Sequence, residues 1–167
     1  VRVDAKTMMR PFGTDSDGAL RPGDLRPALE ELWNTCGPEV DGLMLSHIQS
    51  GSGKVTVYGV GRAFDSLEWG AVHAYEGTIA QDIERFDLSS LLVEDTLDSV
   101  KSVDWALFTP LGVRSYYACP FYAEHGLHAV LILASRKAKT FGTDADARYA
   151  CVAESFGRLM QRWRQRG

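Results

Sequence analysis

The sequence feature that most constrains the fold is the continuous stretch from Gly112 to Ser135. Its first part, Val113 to Tyr122, is rich in aromatic and β-branched residues, which favour β-strands. The segment Glu124-His125-Gly126 supplies the polar residues and the glycine that a hairpin turn requires. Leu127 to Ala134 is then almost entirely apolar, which is typical of a strand covered on both faces. We therefore predict a β-hairpin whose second strand lies in the middle of a sheet.

Size and composition fit one globular domain. The chain has 167 residues, of which 45% are hydrophobic and 24% charged, and both values are ordinary for such a domain. No apolar run approaches the roughly 20 residues of a membrane-spanning helix, and residues 1–20 lack the apolar segment of a signal peptide. We expect a cytoplasmic protein without a membrane segment. The start at Val1 rather than at Met suggests a chain excised from a longer protein, with room for flanking domains.

The cysteines give no sign of a metal site. Cys36, Cys119 and Cys151 are odd in number and far apart, and they form no Cys-x-x-Cys pair. Structural zinc sites and disulfide frameworks need closely spaced or paired cysteines. We expect buried, reduced thiols and no metal ligands.

Charge is distributed unevenly along the chain, although the net charge is only -4. Between Asp65 and Asp104, ten acidic residues accompany two basic ones, which argues against a nucleic-acid groove in this region. Between Arg136 and Arg166, eight basic residues accompany three acidic ones. Basic residues near the end of the chain complement the dipole of a final helix, so we expect no nucleic-acid contact for this domain.

Apolar periodicity and turn residues divide the rest of the chain into further elements. Residues 1–23 are predicted to be a flexible lead-in to a domain at 24–167. Asp24 is a suitable N-cap for a helix that ends at Gly37-Pro38. The other predicted elements are strands at Gly42–Ile48, Val55–Val60 and Leu88–Val93, helices at Glu76–Arg85 and within Asp98–Leu111, and a final helix. This order predicts an α+β fold with a mainly antiparallel central sheet and helices on both faces.

The final helix carries an apolar stripe. Thr143 is predicted to cap it, with Asp146 as the capping-box partner three residues later. The stripe has steps of three and four residues and consists of Tyr149, Val152, Phe156, Leu159 and Trp163. This heptad spacing suits either packing within the chain or pairing with a partner helix.

Several segments together resemble a GAF domain. They are Leu111-Gly-Val-Arg-Ser, Ala118-Cys-Pro-Phe-Tyr, the strand that begins at Gly126, Phe141 with the acidic helix start after it, and Leu91-Leu-Val-Glu-Asp. The resemblance spans about Asp24 to Met160 and is most specific from Gly112 to Phe156.

The resemblance implies a GAF/PAS-like (profilin-like) fold and a sensory function. In GAF domains a small ligand lies between the sheet and an irregular helix-loop region, and the terminal helices pack on the opposite face. Those helices commonly pair with a second subunit and pass a signal to an attached output domain. The resemblance therefore implies a ligand-sensing module of a bacterial signalling or transcription-control protein, and a homodimer through the terminal helices. Its candidate interface residues are Leu25, Leu29, Tyr149, Val152, Phe156, Leu159 and Trp163.

The well-marked ligand classes of the family do not fit this sequence, so the cofactor stays unknown. Bilin-binding members carry a Cys usually followed by His, whereas the three cysteines here precede Gly, Pro and Val. Haem-binding members carry a His just before the hairpin, and Phe108 to Ser115 contains none. The signature of cyclic-nucleotide members is absent, and the cysteines do not match the spacing of the family's methionine-sulfoxide reductases. We therefore predict no enzyme.

An aromatic box with a few polar tips suits a small-molecule site. Three candidate ligand-binding residues lie in the irregular segment over the expected pocket, two on a short helix at its rim and three on the strand that forms its floor. They are Trp69, His73 and Tyr75, then Trp105 and Phe108, then Arg114, Tyr116 and Cys119. Core packing is the alternative for the aromatic residues. For Arg114 the alternative is a structural ion pair with Glu94 or Asp95.

Two histidines lie on predicted strands. Alternation places His47 on the same face as Leu43 and Leu45. The same rule places His128 with Val130 and Ile132. We expect both to be hydrogen-bonded core or rim histidines rather than catalysts.

Two other functions stay open at the level of the sequence. A GAF-fold module without a ligand would serve dimerisation alone. An autoinducer-receptor-type effector domain has a similar Gly-Val-Arg-Ser stretch, but the Asp-Pro pair near the pocket of that family is missing here.

Overall fold

The structure, a computed structural model, describes residues 22–49 and 51–164 and contains one six-stranded antiparallel sheet. Its strands are β1 (Gly42–Gln49), β2 (Lys54–Val60), β3 (Ala71–Ala74), β4 (Leu91–Val93), β5 (Ser115–Ala123) and β6 (Gly126–Ser135). They lie in the order β3-β2-β1-β6-β5-β4. The helices are α1 (Leu25–Asn34), α2 (Ile79–Arg85), α3 (Ala145–Arg148) and α4 (Ala150–Arg164), and Asp104–Phe108 forms a π-helical turn. The predicted α+β fold is confirmed.

The predicted hairpin lies at the centre of the sheet. A two-residue turn, Glu124-His125, joins β5 to β6, and Ala123 pairs with Gly126 across it. Strand β6 also pairs with β1 on its other side. It is therefore enclosed by neighbours, and Val130 to Ser135 are all buried. An apolar residue at every position satisfies both faces of such a strand.

Each face of the sheet carries its own core. On one face, α1 and α4 pack on alternate residues of the central strands. Leu29 of α1, Leu131 of β6 and Phe156 of α4 belong to this core. On the other face, α2 and the π-helical turn pack on the intervening residues, including Met44 and Ile132. The predicted layout, with terminal helices on one face and a helix-loop region on the other, is therefore present.

The apolar stripes of the terminal helices are buried within this chain. Leu25, Leu29, Tyr149, Val152, Phe156 and Leu159 all belong to the core under α1 and α4. Trp163 is half-buried, with its ring 4.6 Å from that of His47. Heptad spacing thus serves packing on the sheet here, and a second subunit would have to contact other residues of these helices.

Three local expectations differ from the structure. Strand β3 was not predicted, because it is a short edge strand whose residues are mostly exposed and show no apolar alternation. Helix α2 begins at Ile79, after the N-cap Thr78, which accepts a hydrogen bond from the Gln81 amide. The last helix is interrupted at Tyr149, and the N-cap of its first part is Asp144 rather than Thr143. Asp146 instead accepts a hydrogen bond from the Tyr117 hydroxyl, so it is not a capping-box partner.

A β-bulge changes the predicted position of His128. Phe121 pairs with Ala129 and Tyr122 pairs with Leu127, which leaves His128 as an extra residue on β6. Its ring lies 4.8 Å from that of His47, on the face covered by the terminal helices. Strand alternation placed it on the opposite face, and the bulge is the reason for the difference.

The predicted lead-in at 1–23 lies outside the described residues up to position 21. Within the described residues, no helix combines the length and apolar content that a bilayer crossing requires.

Candidate functional site

A cavity of about 400 Å³ lies between the sheet and the helix-loop region. Its floor comes from β1, β2 and β6. Its cover, called the cap below, consists of residues 73–79, which lead into α2, and residues 102–108, which include the π-helical turn. The cavity thus lies between the sheet and the irregular segments, where the resemblance implied a ligand. Its floor was expected to come from the strand of Arg114, Tyr116 and Cys119, but no described residue of β5 lines it.

Strand alternation and register build the floor. Met44 on β1 lies directly opposite Ile132 on β6, and Ser46 on β1 lies directly opposite Val57 on β2. All four line the cavity. Because successive residues of a strand point to opposite faces, the residues between them contact the terminal helices instead. The floor is therefore apolar apart from one hydroxyl.

The π-helical turn forms one wall of the cap. The Thr109 amide donates a 2.8 Å hydrogen bond to the Asp104 carbonyl, five residues back, which widens the turn. Phe108 is fully buried and lines the cavity, and its ring centroid lies 4.7 Å from that of Tyr116. Such aromatic contacts stabilise the pair beyond the burial of apolar area.

A buried polar network holds this turn in place. The Tyr116 hydroxyl donates a 2.6 Å hydrogen bond to the Asp104 carboxylate, and the Ser99 hydroxyl donates to the same carboxylate. Burial, followed by the negative charge of Asp104, raises the pKa of Tyr116 far above its ordinary value. The phenol therefore stays protonated and remains a donor. Lys101, directly before the second cap segment, makes a 3.1 Å ion pair with Asp82 of α2, the helix that follows the first cap segment.

The structure brings three of the eight candidate ligand-binding residues to this cavity or directly behind it. His73 and Phe108 line it, and Tyr116 supports Phe108. Tyr75 lies at a second cavity of about 350 Å³, where its hydroxyl donates to Glu84. Trp105 is half-exposed, and its indole nitrogen donates to the Ser99 carbonyl rather than into the cavity.

Arg114 makes a structural ion pair. Its guanidinium lies 3.0 Å from the Asp95 carboxylate and donates three hydrogen bonds to it. The hydrogen bonds from Arg114 hold the pKa of Asp95 below its ordinary value. Pairing with Glu94 or Asp95 was the structural alternative for this arginine, and Asp95 is the partner.

Trp69 and Cys119 lie on the other face of the sheet, so the expectation that they share the pocket needs correction. The Trp69 ring packs 5.0 Å from that of Tyr58, with the Arg26 guanidinium 4.2 Å above it. Cys119 is buried in the core under the terminal helices together with Cys36. Burial raises the pKa of both thiols to about 12. The physical reason is alternation along β5, since Tyr116 faces the cavity side and Cys119 therefore does not.

Apart from His73, the polar residues of the cavity were not predicted from the sequence. Ser46 lies on the floor, while Glu76 and Ser102 lie on the cap. The only sequence signal for Ser46 was that it alternates with Met44 on β1, so that both face the same side of the sheet. That side can be identified as the cavity side only when the position of β1 in the sheet is known. Among the described residues, no group of three or more His, Cys, Asp or Glu is arranged to hold a metal ion.

Comparisons with known proteins identify the fold. No family model matches the sequence, and no curated protein matches it. Solved structures do match. The GAF domain of a two-component sensor histidine kinase from Bacillus halodurans superposes with a TM-score of 0.66 and 12% identity, over 86% of this chain and 95% of that chain. A GAF domain/HD domain protein from Geobacter sulfurreducens superposes with a TM-score of 0.61 and 10% identity, over 85% of this chain and 93% of that chain.

The same fold also occurs in an enzyme. The type II free methionine-R-sulfoxide reductase from Thermoplasma acidophilum superposes with a TM-score of 0.60 and 14% identity, over 83% of this chain and 95% of that chain. At these identities the likeness concerns the fold and not the activity. The superpositions on the two GAF domains cover more than four fifths of this chain, and the chain has the GAF fold.

Proposed function

We propose that this chain is a small-molecule-sensing domain of a bacterial signal-transduction or transcription-regulatory protein, and that its ligand occupies the cavity between the sheet and the cap. The observation that carries the proposal is the cavity itself. A volume of about 400 Å³ suits a metabolite-sized molecule. The GAF domain of a sensor histidine kinase among the structural neighbours supports the same conclusion.

A binding function fits the chemistry of the cavity better than catalysis does. None of Cys36, Cys119 and Cys151 is among the described residues that line it. Cys36 and Cys119 are buried beyond the sheet with raised pKa values, which keeps both thiols protonated and poorly nucleophilic. A reductase activity like that of the Thermoplasma neighbour would need thiolates within reach of the substrate.

The sheet offers a direct physical route from ligand to output. Met44 and Ser46 on β1 line the cavity, while Leu45, which lies between them, packs under the terminal helices. A ligand that shifts β1 would therefore also shift the surface on which α1 and α4 pack. We propose that these helices pass the signal to a second subunit and an attached output domain through their outer surfaces, since their inner surfaces are already buried.

The proposal is tested by filling the cavity. Val57 is buried and lines the floor, so Val57→Phe should place its ring in the cavity. Val72→Phe on β3 is the matched control, because Val72 is exposed. Native mass spectrometry and a metabolite thermal-shift screen should find a small molecule that binds the wild type and Val72→Phe but not Val57→Phe. A molecule that binds all three proteins equally would place the ligand elsewhere and contradict the proposal.

A further inference from the structure

Resting on the proposed function, we infer that the cavity selects an apolar molecule with a single ammonium or hydroxyl group and excludes carboxylates and phosphates. Three features of the lining indicate this chemical class: its apolar interior, one buried hydroxyl, and the sign of the charges around it.

The interior accepts an apolar body. The floor presents Met44, Val57 and Ile132, and the cap presents Leu107 and Phe108. These side chains come from both sides, so a ligand between them would lose most of its contact with water. Removing apolar surface from water is the main source of affinity in such a site.

One buried hydroxyl points to a polar group on the ligand. Ser46 lines the floor and is only 7% exposed. Among the described residues, none forms a hydrogen bond with its side chain, and its oxygen is not one of the fully buried atoms that lack a partner, so it is open to a molecule in the cavity. The residues across from it, Val57 and Val130, are apolar. A ligand hydroxyl or ammonium group is suited to this position, because each can donate to the Ser46 oxygen.

The charges around the cavity disfavour an anion. None of the described residues that line it is a lysine or an arginine. Glu76 lies on the cap, and none of the ion pairs among the described residues involves it. Behind the cap, the buried Asp104 carboxylate adds further negative charge next to Tyr116. An anion would lose its hydration here without gaining a fixed cationic partner, and that penalty is large.

The same charges favour a cation over a neutral molecule. Glu76 is exposed, so its attraction for an ammonium group is screened by solvent and modest in size. We therefore expect a preference for the amine over the matching alcohol of roughly twofold to fivefold. The discrimination against the carboxylate should be larger, since desolvation opposes it directly.

The test uses three probes that differ in one group: 3-phenylpropylamine, 3-phenylpropanol and 3-phenylpropionate. Their dissociation constants are measured by amide chemical-shift titration at pH 8, where histidine side chains are ordinarily uncharged. We expect the amine to bind most tightly, the alcohol next, and the carboxylate about tenfold or more weaker than the alcohol. Ser46→Ala should weaken the amine and the alcohol by roughly threefold to tenfold. Glu76→Gln should weaken the amine alone.

Each other outcome contradicts the inference. Binding of the carboxylate as tightly as the alcohol, abolished by Val57→Phe, would refute the exclusion of anions while leaving the sensor proposal intact. Equal binding of the amine to wild type and Glu76→Gln would refute the preference for a cation. If no probe shifts the cavity residues, the cavity does not accept this class of molecule. The sensor proposal would then be decided separately by the native mass spectrometry described above.

Discussion

The hydroxyl of Tyr116 donates a 2.6 Å hydrogen bond to the carboxylate of Asp104, and both side chains are fully buried. This contact joins the central hairpin to the turn that covers the cavity. A buried carboxylate that loses a donor bears an uncompensated desolvation penalty. The position of the cap therefore depends on this hydrogen bond.

Replacement of this donor should loosen the cap. We predict that Tyr116→Phe lowers the free energy of unfolding by about 1–3 kcal/mol, because Asp104 stays buried with fewer donors. Tyr122→Phe is the control, since its hydroxyl donates to the Leu88 carbonyl at an exposed position, and it should change stability by less than about 0.5 kcal/mol. Urea denaturation measures both. Equal effects of the two substitutions would show that the buried pair has no special role.

The buried stripe of α4 should matter for folding of the single chain. Phe156 is only 1% exposed, whereas Phe86 is 64% exposed. We predict that Phe156→Ala destabilises the protein by about 3–5 kcal/mol, and that Phe86→Ala changes stability by less than about 0.5 kcal/mol. Thermal unfolding followed by circular dichroism gives the comparison. A stable, folded Phe156→Ala protein with an altered sedimentation coefficient would instead assign this residue to a subunit interface.

Stability should fall at mildly acidic pH because of His47. Burial beside His128 and Trp163 lowers the pKa of His47 below its ordinary value of 6.5. Between the lowered pKa and 6.5, His47 therefore binds a proton in the unfolded chain more readily than in the folded chain. The stability that this residue contributes is complete above pH 6.5 and is lost as the pH falls through 6.5 towards the lowered value.

The pH effect can be assigned by substitution. Denaturant midpoints measured between pH 7.5 and 5.5 should decline less in His47→Gln than in the wild type. His73→Gln, which replaces an exposed histidine at the cavity rim, should retain the decline of the wild type. An identical slope in wild type and His47→Gln would remove His47 as the cause.

A close approach of two backbone segments should make Gly61 sensitive to substitution. A Cβ atom there would lie 2.6 Å from the Gly42 Cα atom and 2.9 Å from the Asp41 carbonyl oxygen. Gly51 also has a positive φ, but a Cβ atom there would meet nothing within 4 Å. We predict that Gly61→Ala destabilises the protein by at least about 2 kcal/mol more than Gly51→Ala. Similar melting temperatures for the two variants would contradict the crowded packing at the start of β1.

The central hairpin was predictable because its signal is local. Aromatic and β-branched residues, a polar turn and an apolar run occur within 24 consecutive positions, Gly112 to Ser135. Burial on both faces of β6 then follows from composition alone. Strand β3 lacked such a signal, since an edge strand with exposed residues does not need an apolar pattern.

The candidate site was only partly predictable, because its residues meet through long-range pairing. Phe108 and His73 were identified, but the grouping of Cys119 with Tyr116 ignored that they are three positions apart along one strand. An odd separation places two residues of a regular strand on opposite faces. For His128 the alternation rule was applied but predicted the wrong face of the sheet. The reason is the bulge against Phe121 and Tyr122, which depends on strand pairing that the sequence does not show.

The most direct measurement of the central claim is a high-resolution crystal structure of the protein purified without added ligand. If the chain is a small-molecule sensor, the map should show connected density between Met44, Val57 and Phe108, and the cavity of about 400 Å³ should persist. In crystals of Val57→Phe that density should be absent. A cap whose side chains have collapsed onto the sheet, leaving no space above Ser46, would contradict the claim.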